Sequence, residues 1–333
     1  MVKETFKAMV VRESPEGVFS RQIEDRPLAA LPPGEVLVRV RYSSLNYKDV
    51  LSATGNKGVT KTYPHTPGID AAGVVVESAS PACRPGEEVI VTSYDLGMNT
   101  PGGFGQFIRV PGAWVVKLPE NLSLRESMIY GTAGFTGALS VYRLTLHGVT
   151  PEKGEVLVSG ATGGVGGIAL SILAQTGYHV VAVNGLTDRR DYLLDLGAKE
   201  VISVAEATDT SGKPLLKSRW AGAIDTLGGP ILATTIRSTQ YGAVVTCCGN
   251  VASPDLPLNV YPFIIRGVTL VGIDSQNCPM ETRVKVWQKI AGEWKLANLD
   301  KLTSEVDLDG LSQRIDLVLS HQHRGRTLVR LPE

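Results

Sequence analysis

The first third of the chain alternates apolar and polar positions in short runs that are typical of β-strands. The runs are KAMVV, EVLVRVRYSSL, AAGVVVES and EEVIVTSY, and turns such as LPPGE and CRPGE separate them. No long helical period occurs in the sequence before about Ser127. This part of the chain therefore predicts a β-rich domain.

From Ser127 onward the hydrophobic period changes to that of helices, and strands then alternate with helices. Strands are predicted at EVLVSG, HVVAVN, AGAIDTL, GAVVTCCG and VTLVGID, and helices from Gly164 to about Gln175 and from Asp191 to Leu196. This alternation predicts a doubly wound parallel sheet of the α/β class. The tail, with a helix near Leu308 to Ser320 and the strand GRTLVRL, is expected to return to the first domain.

Composition agrees with a two-domain globular protein. The 333 residues are 43% hydrophobic and 20% charged, and Lys plus Arg equals Asp plus Glu at 33 each. Zero net charge argues against a nucleic-acid partner, and no apolar run approaches the roughly 20 residues of a membrane span. The start, MVKETFKAMVV, is too short and too charged for a signal peptide, and the four cysteines form no paired framework. We therefore expect a cytoplasmic protein.

The stretch SGATGGVGGIALSILAQTGYHVVAVNGL carries a glycine pattern between a predicted strand and a predicted helix. Gly160, Gly163 and Gly166 are evenly spaced, which permits a tight turn and close approach of the backbone to a phosphate. The helix that follows presents free N–H groups and the positive end of its dipole to a pyrophosphate. The alternative is a purely structural turn. The predicted cofactor contacts in this loop are Thr162, Gly163, Gly164 and Val165.

The end of the next strand bears on the choice of cofactor. At Asn184 and Gly185 there is no acid that would bind a ribose 2′-hydroxyl and repel a 2′-phosphate. Asn184 and Thr187 can donate hydrogen bonds, and Arg189 and Arg190 add positive charge. The pattern predicts NADPH as cofactor. Alternatively, the two arginines are only solvated residues at a helix start.

Several stretches together resemble one enzyme family over nearly the whole chain. They are SSLNYKDVLSATG, TPGIDAAGVV, YGTAGFTGALSV, SGATGGVGGIALSILAQ, YPFIIRGVTLVGIDSQNCPM and GRTLVRL. They resemble the medium-chain dehydrogenase/reductase superfamily, in its zinc-free, quinone-oxidoreductase-like branch and the acrylyl-CoA reductase family within it. The resemblance implies a GroES-like catalytic domain of residues 1–125 with 270–333, around a Rossmann NADP-binding domain of residues 126–269.

The sequence lacks the residues that bind zinc in metal-dependent relatives. TSYDLGMNTPGGFGQF, where those relatives carry a structural site, contains no cysteine; Asn46 stands at the catalytic cysteine position and TPGID lacks the His-Glu pair. Cys247 and Cys248 are adjacent in a predicted strand, which would direct their side chains to opposite faces. His65 fits a loop histidine better than a ligand. We expect no metal.

Without a metal, hydride addition to an electron-poor C=C bond remains accessible, and SLNYKD is the candidate catalytic segment. Tyr47 can donate a proton from its phenol and Asn46 an amide N–H to an enolate oxygen, while Asp49 could orient either of them. The competing interpretation is that Asn46 caps a helix starting at Tyr47 and that Asp49 is a first-turn acid.

The resemblance implies further cofactor contacts outside the glycine loop. Two of them have structural alternatives: Thr132 as a helix N-cap or packing residue, and Phe263 as plain core. Two others depart from the family pattern, because relatives often carry an uncharged residue at Arg324 and commonly an arginine at Leu186. The implied contacts are Tyr47, Thr132, Leu186, Cys248, Gly249, Asn250, Phe263, Ile264, Ser275 and Arg324.

Three functions follow from the sequence. The first is an NADPH-dependent reductase of an enoyl thioester of the acrylyl-CoA type, with hydride to the β-carbon and a proton to the α-carbon. The second is a reductase of quinones or α,β-unsaturated ketones, and the third is a non-catalytic nucleotide-binding redox sensor. The expected partners are a small-molecule substrate, an enoyl-CoA or a quinone, and a second copy of the chain in a homodimer. Nucleic acid and membrane are not expected.

Overall fold

The computed structural model describes residues 4–185, 189–320 and 322–333. The chain forms two compact units. The first comprises Met1–Thr132, Gln276–Ala291 and Asn298–Glu333, and the second comprises Ala133–Ser275 and Gly292–Ala297. The predicted domain boundaries, 125/126 and 269/270, stay predictions. None of the helices in the described ranges has the length and hydrophobicity needed to span a membrane.

The strands and α-helices are numbered in chain order. The strands of the described residues are β1 (Thr5–Glu13), β2 (Phe19–Pro27), β3 (Val36–Leu45), β4 (Asp70–Ser78), β5 (Glu88–Thr92), β6 (Phe107–Val110), β7 (Val115–Lys117), β8 (Glu155–Val158), β9 (His179–Asn184), β10 (Glu200–Ser203), β11 (Trp220–Asp225), β12 (Thr239–Cys247), β13 (Thr269–Gly272), β14 (Thr303–Val306) and β15 (Arg326–Arg330). The α-helices are α1 (Tyr47–Ala53), α2 (Leu124–Leu146), α3 (Gly164–Gln175), α4 (Arg190–Asp195), α5 (Gly229–Arg237), α6 (Tyr261–Arg266), α7 (Met280–Ala291) and α8 (Leu308–Leu319).

The first unit is β-rich, as the sequence predicts. Strands β1 and β2 form an antiparallel pair, and a seven-stranded sheet has the order β14-β15-β3-β4-β5-β7, with β6 also paired to β3. Val36, Val38 and Val40 alternate along β3 and face one core with Ile108 and Val110. Because β3 pairs with β4 on one side and with β6 and β15 on the other, its end at Leu45 lies within the sheet.

The second unit is the predicted doubly wound sheet. Its six strands have the order β10-β9-β8-β11-β12-β13, and all of them are parallel. Strand β11 is buried along its whole length, as expected for a central parallel strand covered on both faces. The strand order reverses between β8 and β11, and ligands of such sheets bind at the carboxyl ends of the strands at this point.

Helix α2 contains a kink at Gly131, which has a left-handed backbone with φ of 51°. A Cβ atom at this position would lie 2.4 Å from Asp70 Oδ2 and 2.4 Å from Ser44 Oγ. Only glycine therefore permits both the backbone conformation and this close approach. The kink brings Thr132 against the buried carboxylate of Asp70 in β4.

Candidate functional site

The segment SLNYKD lies where β3 ends and α1 begins. Asn46 is the N-cap of α1, and its backbone N–H donates to Asp49 Oδ2 at 2.7 Å. This is the capping arrangement in which an acid at the third helical position satisfies the N-cap backbone. The helix-start interpretation of SLNYKD therefore describes the local geometry, and the catalytic roles of Asn46, Tyr47 and Asp49 stay predictions.

The side-chain amide of Asn46 is fully engaged by neighbouring protein groups. Its Nδ2 donates to Asp70 Oδ2 at 2.7 Å, with Ser44 O at 3.2 Å and Asp49 Oδ2 at 3.3 Å. Its Oδ1 accepts from Arg326 Nη1 at 3.1 Å. An amide nitrogen carries two hydrogens, so this arrangement leaves none directed at a substrate. The geometry favours Asn46 as a residue that orients its neighbours rather than as the predicted donor to an enolate.

Asp49 and Asp70 are both completely buried in this part of the first unit. Asp49 Oδ1 accepts from the backbone N–H of Gly68 at 3.1 Å and of Ile69 at 2.7 Å. Burial, and after it the neighbouring Asp70 carboxylate, raise the pKa of Asp49 to about 7, although the N–H donors around it act in the opposite direction. Asp49 therefore holds or releases a proton near neutral pH.

Asp70 also engages Thr132, directly after the kink in α2. The Thr132 backbone N–H lies 2.9 and 3.0 Å from the two Asp70 oxygens, and its hydroxyl donates to Asp70 Oδ1 at 2.6 Å. Thr132 therefore follows the kink with both its backbone N–H and its hydroxyl bonded to Asp70, and its role as a cofactor contact stays a prediction. Sequence reasoning missed Asp70 as a site residue. The available signal was an acid inside the otherwise apolar run TPGIDAAGVV.

Tyr47 is the predicted catalytic residue with the greatest exposure. It is the first residue of α1, and 55% of its surface is exposed. Its neighbours Asn46 and Asp49 are hydrogen-bonded to each other and Asn46 also to Asp70, whereas more than half of the Tyr47 surface is exposed. Tyr47 is therefore available to a ligand that contacts the first unit.

In the second unit the glycine loop has the geometry of a phosphate-binding turn. Gly160 has φ of 60°, and the Gly163 N–H donates to the Gly160 carbonyl at 3.0 Å. A Cβ at Gly166 would lie 2.4 Å from that same carbonyl oxygen. Helix α3 begins at Gly164, and its N-cap, Gly163, is exposed and supplies no side chain to cap the first turn. The loop therefore fits a pyrophosphate bound by backbone N–H groups.

The segment after β9 contains the predicted determinants of cofactor choice. Asn184 ends β9 as a buried residue and Gly185 is exposed, whereas Leu186 and Thr187 lie outside the described residues. Arg189 is the N-cap residue of α4. Arg190 Nη1 donates to the Val201 carbonyl at 2.9 Å, which directs this guanidinium toward β10.

The prediction that Cys247 and Cys248 share a strand was wrong. Strand β12 ends at Cys247, so Cys248 lies in the following loop, and the strand alternation from which opposite faces were expected does not extend to it. Both sulfurs instead contact Asp225 at the end of β11: Cys247 Sγ lies 3.8 Å from Oδ2 and Cys248 Sγ lies 3.5 Å from the backbone O. Burial, followed by the Asp225 charge, raises the pKa of Cys248 to about 12.

Asp225 connects the carboxyl ends of β8 and β11. Its Oδ1 accepts from Ser159 Oγ at 2.7 Å and its Oδ2 accepts from the Gly228 N–H at 2.7 Å. Ser159 directly precedes the glycine loop, so this contact steadies the base of the loop. Burial raises the pKa of Asp225. Gly249 and Asn250 follow β12 at the same end of the sheet.

The remaining predicted cofactor contacts differ in exposure and in hydrogen bonding. Phe263 is half-buried and packs on the hydrophobic core of the second unit, which is the core alternative, whereas Ile264 is 73% exposed. Ser275 Oγ accepts from Thr136 Oγ1 at 2.8 Å. Arg324 is exposed and precedes β15 in the first unit. Within the described ranges, no group of three or more His, Cys, Asp or Glu side chains is arranged to hold a metal ion.

Comparisons with known families and proteins cover most of the chain. Residues 32–120 match the family described as Alcohol dehydrogenase GroES-like domain, and residues 164–292 match the family described as Zinc-binding dehydrogenase. "Putative quinone oxidoreductase YhfP" of Bacillus subtilis is 48% identical over 90% of this chain and 92% of that protein. Acrylyl-CoA reductase AcuI of Ruegeria pomeroyi is 41% identical over 97% of this chain and 98% of that protein.

Solved structures have the same fold over nearly the full length. The yhdH oxidoreductase from Salmonella enterica in complex with NADP is 39% identical, with a TM-score of 0.95 over 98% of this chain and 100% of that one. The Bacillus subtilis protein yhfP with NAD bound is 44% identical, with a TM-score of 0.96 over 99% of this chain and 100% of that one.

Proposed function

Since this chain is an oxidoreductase of the medium-chain dehydrogenase/reductase superfamily, in the branch that holds acrylyl-CoA reductases and YhfP, we propose that it reduces the C=C bond of an enoyl thioester with NADPH. The observation that carries this proposal is the 41% identity to acrylyl-CoA reductase AcuI along 97% of the chain. In the balanced reaction, the enoyl thioester, NADPH and one proton give the saturated thioester and NADP⁺. The β-carbon gains the hydride and the α-carbon gains the proton.

NADPH is the cofactor in this proposal because of the segment after β9. The two solved relatives differ, one with NADP and the other with NAD, so the choice is argued from this chain. Asn184 and Gly185 present no acid to repel a 2′-phosphate, and Arg189 lies at the start of α4 close by in sequence. The glycine loop from Gly160 to Gly166 would hold the pyrophosphate. When bound, NADPH supplies the hydride.

Tyr47 is the proposed source of the proton or of the hydrogen bond to the enolate oxygen. Its side chain is exposed, whereas the amide hydrogens of Asn46 are used by protein acceptors. Asn46 and Asp49 then act by holding the first turn of α1 in place. A positioned phenol next to this rigid cluster can donate to charge that develops on the thioester carbonyl.

Replacement of Tyr47 by Phe tests this function directly. The variant should reduce acrylyl-CoA or crotonyl-CoA about 10²-fold more slowly or worse, the usual scale of a positioned acid. NADPH affinity should change much less, because the phenol acts in the transition state. Tyr241, which is 84% exposed in the second unit, provides the matched control as Tyr241→Phe. Near wild-type thioester turnover in Tyr47→Phe would remove Tyr47 from the mechanism.

Reduction of a quinone or an unsaturated ketone is the second candidate, favoured by the 48% identity to YhfP. A quinone can take its protons from water after reduction, so Tyr47→Phe should retain more quinone activity than thioester activity. The assay is NADPH consumption with acrylyl-CoA, crotonyl-CoA and a simple quinone side by side. If the wild-type enzyme turned over the quinone alone, the thioester proposal would be excluded.

The reaction is proposed to be independent of zinc. A cation already stands beside Asn46, since the Arg326 guanidinium donates to its Oδ1. Such a guanidinium repels a metal ion at this position. Dialysis against a strong chelator should leave turnover and melting temperature unchanged. If the purified protein contained stoichiometric zinc and lost activity when that zinc was removed, the proposal would be contradicted. The homodimer and cytoplasmic location expected from the sequence belong to the same proposal, and sedimentation velocity tests the homodimer.

A further inference from the structure

Arg326, the first residue of β15, places a buried guanidinium at the junction of β3 and α1. It is 3% exposed, and the pairing of Thr327 with Leu45 brings it next to the end of β3. Its Nε donates to Ile129 O at 2.9 Å and its Nη1 donates to Leu45 O at 3.1 Å. Its Nη2 donates to Ser44 Oγ at 2.7 Å. One side chain therefore connects β15, the end of β3 and the residues before the kink in α2.

The same guanidinium determines which way the Asn46 amide faces. Asn46 Oδ1 accepts from Arg326 Nη1, and its Nδ2 donates to Asp70 Oδ2. A flipped amide would set its NH₂ group against the guanidinium donors and its oxygen against the Asp70 carboxylate, and both contacts would be repulsive. Tyr47 follows Asn46 directly, so the orientation of this N-cap also affects where the phenol is held.

Arg326 also compensates buried negative charge. Its Nη2 lies 3.8 Å from Asp70 Oδ2, and it interacts electrostatically with Asp49. Among the described residues, His323 also interacts electrostatically with Arg326, and it interacts with Arg314 as well. Without the guanidinium, the carboxyl groups of Asp49 and Asp70 would face each other in a buried site that has lost the cation balancing them. Loss of one partner from such a buried ionic cluster is far more disruptive than loss of a surface ion pair.

We propose that Arg326 is a positioning residue for the reaction: it orients Asn46 and balances the charge of Asp70, and turnover depends on it although it does not touch the substrate. This inference rests on the proposed reductase function. It predicts that the charge of Arg326 and the geometry of its hydrogen bonds contribute separately to turnover. A lysine at this position would restore the charge without the planar set of donors that contacts four different residues.

The test compares Arg326→Ala, Arg326→Lys and the control Arg330→Ala. Arg330 lies on the same strand, but its side chain is 63% exposed and pairs with Glu305 at 3.6 Å. Circular dichroism melts establish which variants fold. The measurements are kcat, KM and the pH dependence of kcat with a substrate that the wild type reduces, together with NADPH affinity from fluorescence titration.

In Arg326→Ala, kcat should fall at least tenfold, while NADPH affinity changes by less than about threefold because the cofactor loop lies in the other unit. The break in the pH profile that reports Asp49 should move up by about one pH unit or more, since loss of a nearby cation raises the pKa of a carboxyl group. Guanidinium chloride at low millimolar concentration should restore part of kcat. Arg326→Lys should keep the wild-type break with reduced kcat, and Arg330→Ala should match wild type.

A folded Arg326→Ala enzyme with kcat within threefold of wild type would overturn the proposal, as would loss of kcat with neither guanidinium rescue nor a shifted break. If the alanine variant does not fold, the test rests on Arg326→Lys, and a wild-type kcat in that variant would overturn the proposal. If the wild type reduces no substrate, the proposed function fails on its own. The proposal for Arg326 would then be decided by the pH dependence of unfolding, in which the titration of Asp49 must move upward in Arg326→Ala and stay at its wild-type position in Arg326→Lys.

Discussion

Asp49 makes the stability of the first unit depend on pH in a direction opposite to that of an ordinary carboxyl group. Its pKa is about 7 in the folded protein, against 3.8 for an unperturbed aspartate. Between these values the folded state keeps a proton that the unfolded state has released. Stability from this group is therefore fully present below about pH 4 and is lost as the pH rises through 7.

The magnitude follows from the two pKa values. A shift of about three units corresponds to about 4 kcal/mol over the full range, and the part that falls between pH 5 and pH 8 is about 2 to 3 kcal/mol. Asp49→Asn removes this titration. The variant also carries a constant penalty of about 1 to 3 kcal/mol, because its NH₂ group must face N–H donors of Asn46, Gly68 or Ile69. The pH dependence, and not the stability at one pH, is therefore the informative quantity.

The assay is urea unfolding of wild type and Asp49→Asn at pH 5, 6, 7 and 8. Hydrogen exchange of peptides from β3 and β4 reports the first unit separately. The loss of stability from pH 5 to pH 8 should be smaller in the variant by about 2 to 3 kcal/mol. Asp309→Asn, an exposed first-turn acid of α8, is the control and should follow wild type. An identical pH dependence in wild type and Asp49→Asn would refute the assignment of a raised pKa to this group.

Three further predictions concern the second unit. NADPH should bind at least tenfold tighter than NADH, about 1.4 kcal/mol, and the double variant Arg189→Ala/Arg190→Ala should lose this preference in fluorescence titrations. Because the Arg190 guanidinium already donates to a backbone carbonyl of β10, Arg189→Ala alone should account for more of the loss than Arg190→Ala. Gly166→Ala should lower the stability of the second unit by about 1 to 3 kcal/mol and weaken NADPH binding, because the new Cβ would lie 2.4 Å from a carbonyl oxygen; calorimetry with and without NADPH measures both effects. Cys248, with a pKa of about 12, should be alkylated at pH 8 about 10²-fold more slowly than an exposed thiol, and rapid labelling seen by peptide mass spectrometry would contradict the raised pKa.

Local features of the chain were predictable because their causes are local. Helix α3 runs from Gly164 to Gln175, the range that its hydrophobic period predicts, and β9 coincides with HVVAVN. The glycine loop was predictable because residues such as Gly160 can adopt a left-handed backbone. The position of these glycines between a predicted strand and a predicted helix made the prediction specific to a phosphate-binding turn. Strand β2 was missed, since its residues FSRQIEDRP lie on a two-stranded pair and are only partly buried, which leaves a weak apolar signal.

The polar cluster around Asn46 depended on tertiary structure. Asp70 and Arg326 are separated by most of the chain, and they meet only because β4 and β15 pair with opposite sides of β3. The sequence offered a helix cap and a catalytic donor as competing roles for Asn46, and each was compatible with SLNYKD. The difference lies in which groups surround the amide, and a one-dimensional pattern carries no information on contacts between distant strands. Burial of Asp49 beside Asp70, which shifts its proton affinity to neutral pH, is likewise a property of packing.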